Sequence, residues 1–115
     1  MPEEIDYRAR VARGIALMDE KWPHWATEID LEKLDIESGD VCMTAQYSAV
    51  HGGSSNWRDG MHMLNLGLNS YTEHGFRADD GYQDDYATLN YLWRGEIERR
   101  RAQAKQAPAE PEASA

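Results

Sequence analysis

Four histidines and one cysteine are the residues of this chain whose side chains most often bind metals or act as nucleophiles. They are His24, His51, His62, His74 and Cys42. No two histidines stand four residues apart, and the sequence has neither a C-x-x-C nor an H-E-x-x-H motif, the spacings that build many zinc sites. Cys42 stands in the apolar run Val41-Cys42-Met43, which favours a small buried hydrophobe. We therefore predict no metal, no cofactor, no catalytic residue and no enzyme activity.

Two loop-like segments share letters with functional loops but lack the rest of each motif. The run His51-Gly52-Gly53-Ser54 has the letters of an esterase oxyanion loop, yet the chain contains no G-x-S-x-G elbow and no P-loop lysine beside these glycines. The acids between Asp79 and Asp85 do not follow the register of a calcium-binding EF-hand. A connecting loop and the acidic start of a helix explain the two segments more simply.

A dense run of carboxylates lies between residues 28 and 40. Its members are Glu28, Asp30, Glu32, Asp35, Glu37 and Asp40. The whole chain has a net charge of −9, and such acidity disfavours direct contact with a nucleic-acid backbone, which requires lysine and arginine. Glu28, Asp30, Glu32 and Asp35 are therefore candidates for binding a basic partner protein. As an alternative they would imitate a row of phosphates, and a solvated surface that serves solubility is the simplest explanation.

The four tryptophans divide into two pairs. Trp22 and Trp93 fall on helical apolar stripes and are predicted to be core residues. Trp25 and Trp57 border predicted loops, so they are the better candidates for partner binding.

The two ends of the domain show helical periodicity. Val11, Ile15, Met18 and Trp22 form an apolar stripe within a helix predicted over residues 3–21, which Pro23 ends. Tyr82, Tyr86, Leu89, Trp93 and Ile97 form a second stripe in a helix predicted from residue 82 to 105, with acids before it and bases at its end. We predict that Trp93 and Ile97 pack against Val11, Ile15 and Met18.

The middle of the chain predicts short elements. Residues 29–36 fit a strand or a helical turn equally well, and we expect an irregular segment held by its apolar residues. A helix over 41–49, capped by Asp40, and a long connection over 48–56 follow.

Two further short helices are predicted before the last one. Trp57, Met61, Leu64 and Leu68 form a stripe that Gly67 would close, and the run Ser70 to Glu73 has the spacing of a capping box. Phe76 would then dock on the core.

Size and composition predict one mainly α domain over residues 1–106, a small bundle with two longer terminal helices, short internal helices and an irregular segment. The chain has 115 residues, enough to bury a core without disulfides. Residues 107–115, rich in Ala, Pro and Glu, are predicted to be a disordered tail. The single cysteine favours a reducing cytoplasm. The acidic beginning and the absence of a long apolar run argue against a signal peptide and a membrane span.

An ordered series of short motifs resembles one family. The pieces are Arg13-Gly14 with Leu17 to Glu20, Trp22-Pro23-His24-Trp25, the run Ile29 to Ile36, Cys42 with Gln46-Tyr47, Leu66-Gly67-Leu68, His74-Gly75-Phe76, and the closing set Tyr86, Leu89, Trp93 and Ile97. Together they resemble the small uncharacterised proteins of actinobacteriophages and of actinobacterial prophages. The resemblance covers about residues 8–98 and implies expression in the cytoplasm of a bacterial host. No activity is established for that family, so it implies no functional residue.

These patterns predict a small acidic accessory protein of phage type that acts by binding a host or phage protein. The alternative is an acidic nucleic-acid mimic that inhibits a DNA- or RNA-binding protein. Self-association through an aromatic face stays open.

Overall fold

Six helices form the part of the chain that the structure, a computed structural model, describes: residues 5–79 and 82–106. The helices are α1 (Tyr7–Lys21), α2 (Trp25–Glu28), α3 (Met43–Val50), α4 (Trp57–Met63), α5 (Leu68–Glu73) and α6 (Asp85–Gln106). Within these ranges there is no β-strand. The prediction of a mainly α domain with two longer terminal helices is thus confirmed, and the predicted tail 107–115 lies outside the described residues.

The first helix begins later than predicted because Asp6 caps it. The Asp6 carboxylate accepts a hydrogen bond from the Ala9 amide at 3.0 Å, which satisfies one of the amides left free at a helix start. The helix ends at Lys21, directly before Trp22 and Pro23, as predicted.

The last helix buries three successive residues of its predicted stripe. Leu89, Trp93 and Ile97 are each 0% exposed, and they share one core with Val11 and Met18, while Ile15 packs partly buried against it. Helices α1 and α6 pack on each other, so the predicted packing is confirmed. The prediction that the stripe and the helix begin at Tyr82 was wrong, since Tyr82 is 51% exposed and precedes the helix.

The indole of Trp93 is held by contacts from three sides. Its Nε1 donates a hydrogen bond to the Gly75 carbonyl at 2.7 Å. Its ring stacks on Phe76 with centroids 5.5 Å apart and meets the Trp25 ring edge-on at 5.7 Å. A Cβ added to Gly14 would lie 2.2 Å from the His74 carbonyl and 2.8 Å from the Trp93 ring. Glycine is therefore required there, because α1 approaches both groups too closely for any side chain.

The short helices α3 and α4 pair closely, and Gly60 explains how. A Cβ at Gly60 would lie 2.0 Å from the Thr44 carbonyl. The sequence indicated only that Gly60 weakens its helix, whereas the structure shows that it permits this contact. Residues 51–56, between the two helices, are all exposed.

Three predicted helix boundaries were wrong for identifiable reasons. Cys42, not Asp40, precedes α3, and Asp40 instead accepts a hydrogen bond from the Ser38 hydroxyl at 2.7 Å. Asn65, with φ of 61°, ends α4 in the left-handed conformation predicted for Gly67. Gly67 is the N-cap residue of α5, so Ser70 lies inside that helix and forms no capping box.

A cluster of charges joins the far ends of α1 and α6. Asp19 accepts hydrogen bonds from Arg100 at 2.5 and 3.0 Å and from the Trp25 indole at 2.8 Å. Arg100 also donates to Glu96 at 2.6 Å and lies over the Trp25 ring at 5.2 Å. Arg100 is the main cause of the lowered pKa of Asp19, while donation from Arg99, and then from Arg100, lowers the pKa of Glu96 below its ordinary value.

Replacement of Trp93 by alanine is expected to destabilise the fold by about 3–5 kcal/mol, because it removes a fully buried ring and leaves the Gly75 carbonyl unpaired. Urea unfolding measures this change. The matched control is Gln103→Ala, on the same helix at an exposed side chain, with an expected change within about 0.5 kcal/mol. Equal stability of Trp93→Ala and the parent would contradict the packing described here.

Acid is expected to destabilise the fold through Asp19 and Glu96. Their pKa values are lowered in the folded state, so their contribution is present above the ordinary carboxyl range and is lost as the pH falls through the folded pKa values. Thermal melts between about pH 2 and pH 6 should show the loss. Arg100→Met should make the pH dependence shallower, whereas Lys105→Met should not. A parent curve that is no steeper than that of Arg100→Met would refute this assignment.

Candidate protein-binding surface

Residues 28–40 form a surface segment, which we call the acidic edge, with its apolar side chains inside and its carboxylates outside. Ile29, Leu34 and Ile36 are buried. The carboxylate residues are all exposed: Glu28, Asp30, Glu32, Asp35, Glu37 and Asp40. Between residues 30 and 34 the backbone makes one turn, in which the Lys33 and Leu34 amides donate to the Asp30 carbonyl. The expected irregular segment is thus observed, and a turn replaces the alternative of a strand.

The shape of the acidic edge is fixed by polar side chains of α6. Asn90 accepts a hydrogen bond from the Ile36 amide at 2.8 Å and donates to the Asp35 carboxylate at 3.2 Å. Arg94, one turn later on the helix, donates to the Leu34 carbonyl at 2.5 Å. These bonds satisfy buried backbone groups that have no regular secondary structure to pair with.

The beginning of the segment is held from two further positions. Arg101 donates to the carbonyls of Ala26 at 2.8 Å and Ile29 at 2.6 Å. Gln46 of α3 accepts from the Asp30 amide at 2.7 Å and donates to the Val41 carbonyl at 3.0 Å. The carboxylates are therefore displayed on a backbone with a defined course.

The negative charge of the acidic edge is only slightly offset within the segment. Six carboxylates stand against one lysine. Lys33 lies 4.0 Å from Asp30, and both side chains are largely exposed, so the pair contributes little. Charges on this surface act over about one Debye length, about 8 Å at physiological salt.

Three of the predicted partner-binding residues also bond within the fold. Glu28 accepts a hydrogen bond from the Trp22 indole, and Asp35 accepts from Asn90 and from the Glu37 amide at 3.1 Å. Asp30 caps the turn through the Lys33 amide at 3.3 Å. Glu32 lies exposed on the same turn. The structure thus brings all four predicted carboxylates onto one surface segment.

Trp25 requires a correction, because its ring is not at the surface. The side chain is 0% exposed, packs edge-on against Trp93 and donates its indole hydrogen to Asp19. Pro23 redirects the chain after α1, and the single turn of α2 then points Trp25 into the core. Trp22 and Trp93 are both buried, as predicted.

Trp57 is half-buried and adjoins the acidic edge. Its amide donates to the Gly39 carbonyl at 2.8 Å, and its indole lies so close that a Cβ on Gly39 would come within 3.0 Å of it. The Arg58 guanidinium lies 5.0 Å above the ring and Tyr71 lies 5.4 Å away. Trp57 forms one wall of a groove of about 260 Å³, with Glu37, Ser38 and Tyr86 among its other lining residues.

Below this groove lies a buried series of contacting polar side chains, which includes the only cysteine of the sequence. The Cys42 thiol is 3.6 Å from the Thr44 hydroxyl, which is 2.7 Å from the Tyr71 hydroxyl. Burial is the main cause of the raised pKa of Tyr71, so this phenol stays protonated at neutral pH and cannot act as a base. Cys42 is buried, as predicted. These bonds join α3 to α5 and support the groove.

Sequence reasoning missed Asn90, Arg94, Arg101 and Gln46, which hold the acidic edge in place. Each is a polar residue beside an apolar stripe, and such residues ordinarily face solvent. The spacing of four between Asn90 and Arg94, next to the core stripe, was the one available signal.

Comparisons with known proteins give no relative for this chain. No protein-family model matches it, and neither a curated protein nor a solved structure shows significant similarity to it. Within residues 5–79 and 82–106, no cluster of three or more His, Cys, Asp or Glu side chains is arranged to hold a metal ion. None of the helices in this part of the chain has the length and apolar character needed to cross a bilayer.

Asn90→Ala is expected to release the centre of the acidic edge and to destabilise the protein by about 1–3 kcal/mol, because it leaves the buried Ile36 amide unpaired. Hydrogen exchange should accelerate at the Ile36 amide more than at the Leu89 amide. Thr88→Ala, at an exposed site two residues away on α6, is the control and should leave both rates unchanged. Unaltered exchange at Ile36 in Asn90→Ala would show that α6 does not fix the segment.

Proposed function

We propose that this chain is a small accessory protein that acts by binding another protein, and that the acidic edge docks on a basic surface of that partner. The observation that carries the proposal is the outward display of six carboxylates on a segment whose apolar residues and backbone groups are held from within. Complementary charge speeds association and selects partners.

The held backbone makes this surface more than an acidic stretch of sequence. Binding usually costs conformational entropy when a loop must be ordered, and a segment that is already ordered avoids most of that cost. Asn90, Arg94 and Arg101 reach the segment from one helix. The neighbouring groove walled by Trp57 offers apolar contact beside the charges, and interfaces commonly combine an aromatic centre with a polar rim.

The biological setting that we propose is a bacterial host, with a phage or prophage origin and a cytoplasmic location. The sequence resemblance to small actinobacteriophage proteins supports this setting, as does the single cysteine, which stays free in the structure. We propose no catalytic activity for the chain.

A second candidate, an acidic mimic of nucleic acid, draws support from the same row of carboxylates. A mimic must present negative charges at fixed positions, and the bonds from Asn90 and Gln46 fix the backbone of the row. The two candidates differ in the partner's own ligand, since the mimic competes with DNA or RNA and the accessory protein need not.

A crosslinking pull-down from actinobacterial lysate tests the proposal with two matched variants. The edge variant carries Glu28→Gln, Asp30→Asn, Glu32→Gln and Asp35→Asn, which keep an oxygen for each internal hydrogen bond. The control variant neutralises four exposed acids elsewhere, by Asp6→Asn, Glu20→Gln, Asp59→Asn and Glu73→Gln. Both variants change the net charge equally, so non-specific electrostatics cannot distinguish them.

The parent and the control variant should capture the same basic partner, with capture weakening as salt rises, and the edge variant should lose it while its circular dichroism stays native. Equal capture by all three proteins, or none by the parent, would refute the proposed docking surface. Added DNA should displace the protein from its partner only if the chain acts as a mimic.

A further inference from the structure

One face of α6 is exposed along almost its whole length and has a glycine at its centre. Its exposed residues, which we call the Gly95 face, are Thr88, Tyr91, Gly95, Glu98, Arg99 and Ala102. At about 100° per residue, this face lies opposite the buried stripe of Leu89, Trp93 and Ile97. Neither the core nor the acidic edge uses it.

Gly95 has no role within the described fold that requires a glycine. A Cβ added there would meet no atom within 4 Å, in contrast to Gly14 and Gly60, where neighbouring backbone carbonyls leave no room. A glycine in the middle of an exposed helix lowers helix stability relative to alanine. The close approach of another backbone is one reason for a glycine at such a position.

The Gly95 face also borders an apolar groove between α6 and α1. The groove measures about 310 Å³, and Val11, Ala12, Ile15 and Leu92 contribute apolar atoms to its lining. Tyr91 stands at its side and is 71% exposed, the largest exposed fraction among the exposed large hydrophobic residues. An exposed ring beside an apolar groove allows two copies of a chain to bind each other, with the ring of each copy in the groove of the other.

The charges along α6 favour a second copy in the antiparallel direction. Asp84 stands at its beginning, Arg99 and Lys105 in its second half, and Gly95 close to the midpoint of Asp85–Gln106. Arg99 also donates to Glu96 of its own helix, and Asp85 accepts a hydrogen bond from Tyr7. A two-fold axis at Gly95 would therefore place the acidic end of one helix beside the basic end of the other. The same axis would set Tyr91 opposite Arg99 of the second copy, the geometry of a cation–π contact.

We propose that the chain forms a two-fold symmetric dimer in which α6 crosses α6 of a second copy, antiparallel, at Gly95. Each Tyr91 enters the groove of the other copy and packs against its Arg99. The interface is isologous, so every contact occurs twice. It leaves the acidic edge on the outside of each copy, so a dimer would present two such edges to its partners.

Sedimentation equilibrium of the full chain over a range of concentrations tests the proposal. The parent should show a concentration-dependent mass of two chains. Gly95→Arg should raise the dissociation constant by about tenfold or more, because it places a large charged side chain where the two backbones meet. The melting temperature of the monomer should stay the same or rise, since a helical glycine is replaced.

The control for that variant is Gly67→Arg, at another exposed glycine whose Cβ would meet no atom within 4 Å. This change should leave the dissociation constant unaltered. A parent that sediments as one chain at every concentration, or a dimer that survives Gly95→Arg, overturns the proposal. The proposal is also overturned if Gly95→Arg leaves the sedimentation mass unchanged but abolishes the capture of a different protein from lysate. The Gly95 face would then bind that protein and not a second copy.

A charge exchange tests the register of the two helices. Tyr91→Arg should weaken the dimer, since it sets two arginines opposite each other, and adding Arg99→Glu should restore it through two symmetric ion pairs. Within one chain the two positions are eight residues, more than two turns, apart, so they do not form the i,i+3 or i,i+4 ion pair that could explain such a rescue inside the monomer. Failure of the double variant to restore the dimer overturns the proposed register.

Discussion

The indole of Trp93 is the point at which most of the fold meets, and its burial constrains the other elements. Trp25 of α2 and Phe76 beyond α5 pack on its ring, and its nitrogen bonds the carbonyl of Gly75. Helix α1 approaches closely enough that Gly14 can carry no side chain. Gly75 itself has a φ of 75°, a left-handed conformation that glycine adopts without strain. The contacts of this one side chain thus set the positions of α1, α2 and the end of α5 relative to α6.

Helix α6, which the core contacts of Trp93 hold in place, also positions parts of the protein surface. On one side of its buried stripe it presents Asn90, Arg94 and Arg101, whose polar atoms bond the backbone of residues 26–36. Beyond Glu28, where α2 ends, the acidic edge has no regular secondary structure, and these bonds replace what a strand or helix would supply. On the side opposite its buried stripe, α6 carries Gly95 and Tyr91, which are exposed among the residues that the structure describes. The surface that we propose for partner binding and the face that we propose for dimerisation are therefore organised by the same helix.

The sequence predicted those features that depend on periodicity. The stripe of Leu89, Trp93 and Ile97 repeats at steps of four, and burial follows directly from that spacing. Pro23 ended the first helix as predicted, because the residue before proline is excluded from the helical region. Phe76 docked on the core, and the carboxylates of residues 28–40 faced outward as expected for charged groups.

The predictions that were wrong concern features that depend on contacts between residues distant in the sequence, or on the conformation of single residues. Trp25 borders a turn, which usually indicates the surface, yet Asp19 accepts its indole hydrogen and makes burial favourable. Asn65 took the left-handed position predicted for Gly67, since asparagine tolerates that conformation. The hydrogen bonds from Asn90, Arg94 and Arg101 to the backbone could not be predicted, because the spacing of these side chains does not state which backbone groups will lack partners.

The burial of Trp93 can be measured through hydrogen exchange of its indole proton. This proton is bonded to a buried carbonyl in a ring that is 0% exposed, so the account predicts exchange only through global unfolding, with protection equal to the full free energy of unfolding. Exchange of this proton at the rate of a solvent-exposed indole, in a protein that is otherwise folded, would contradict it.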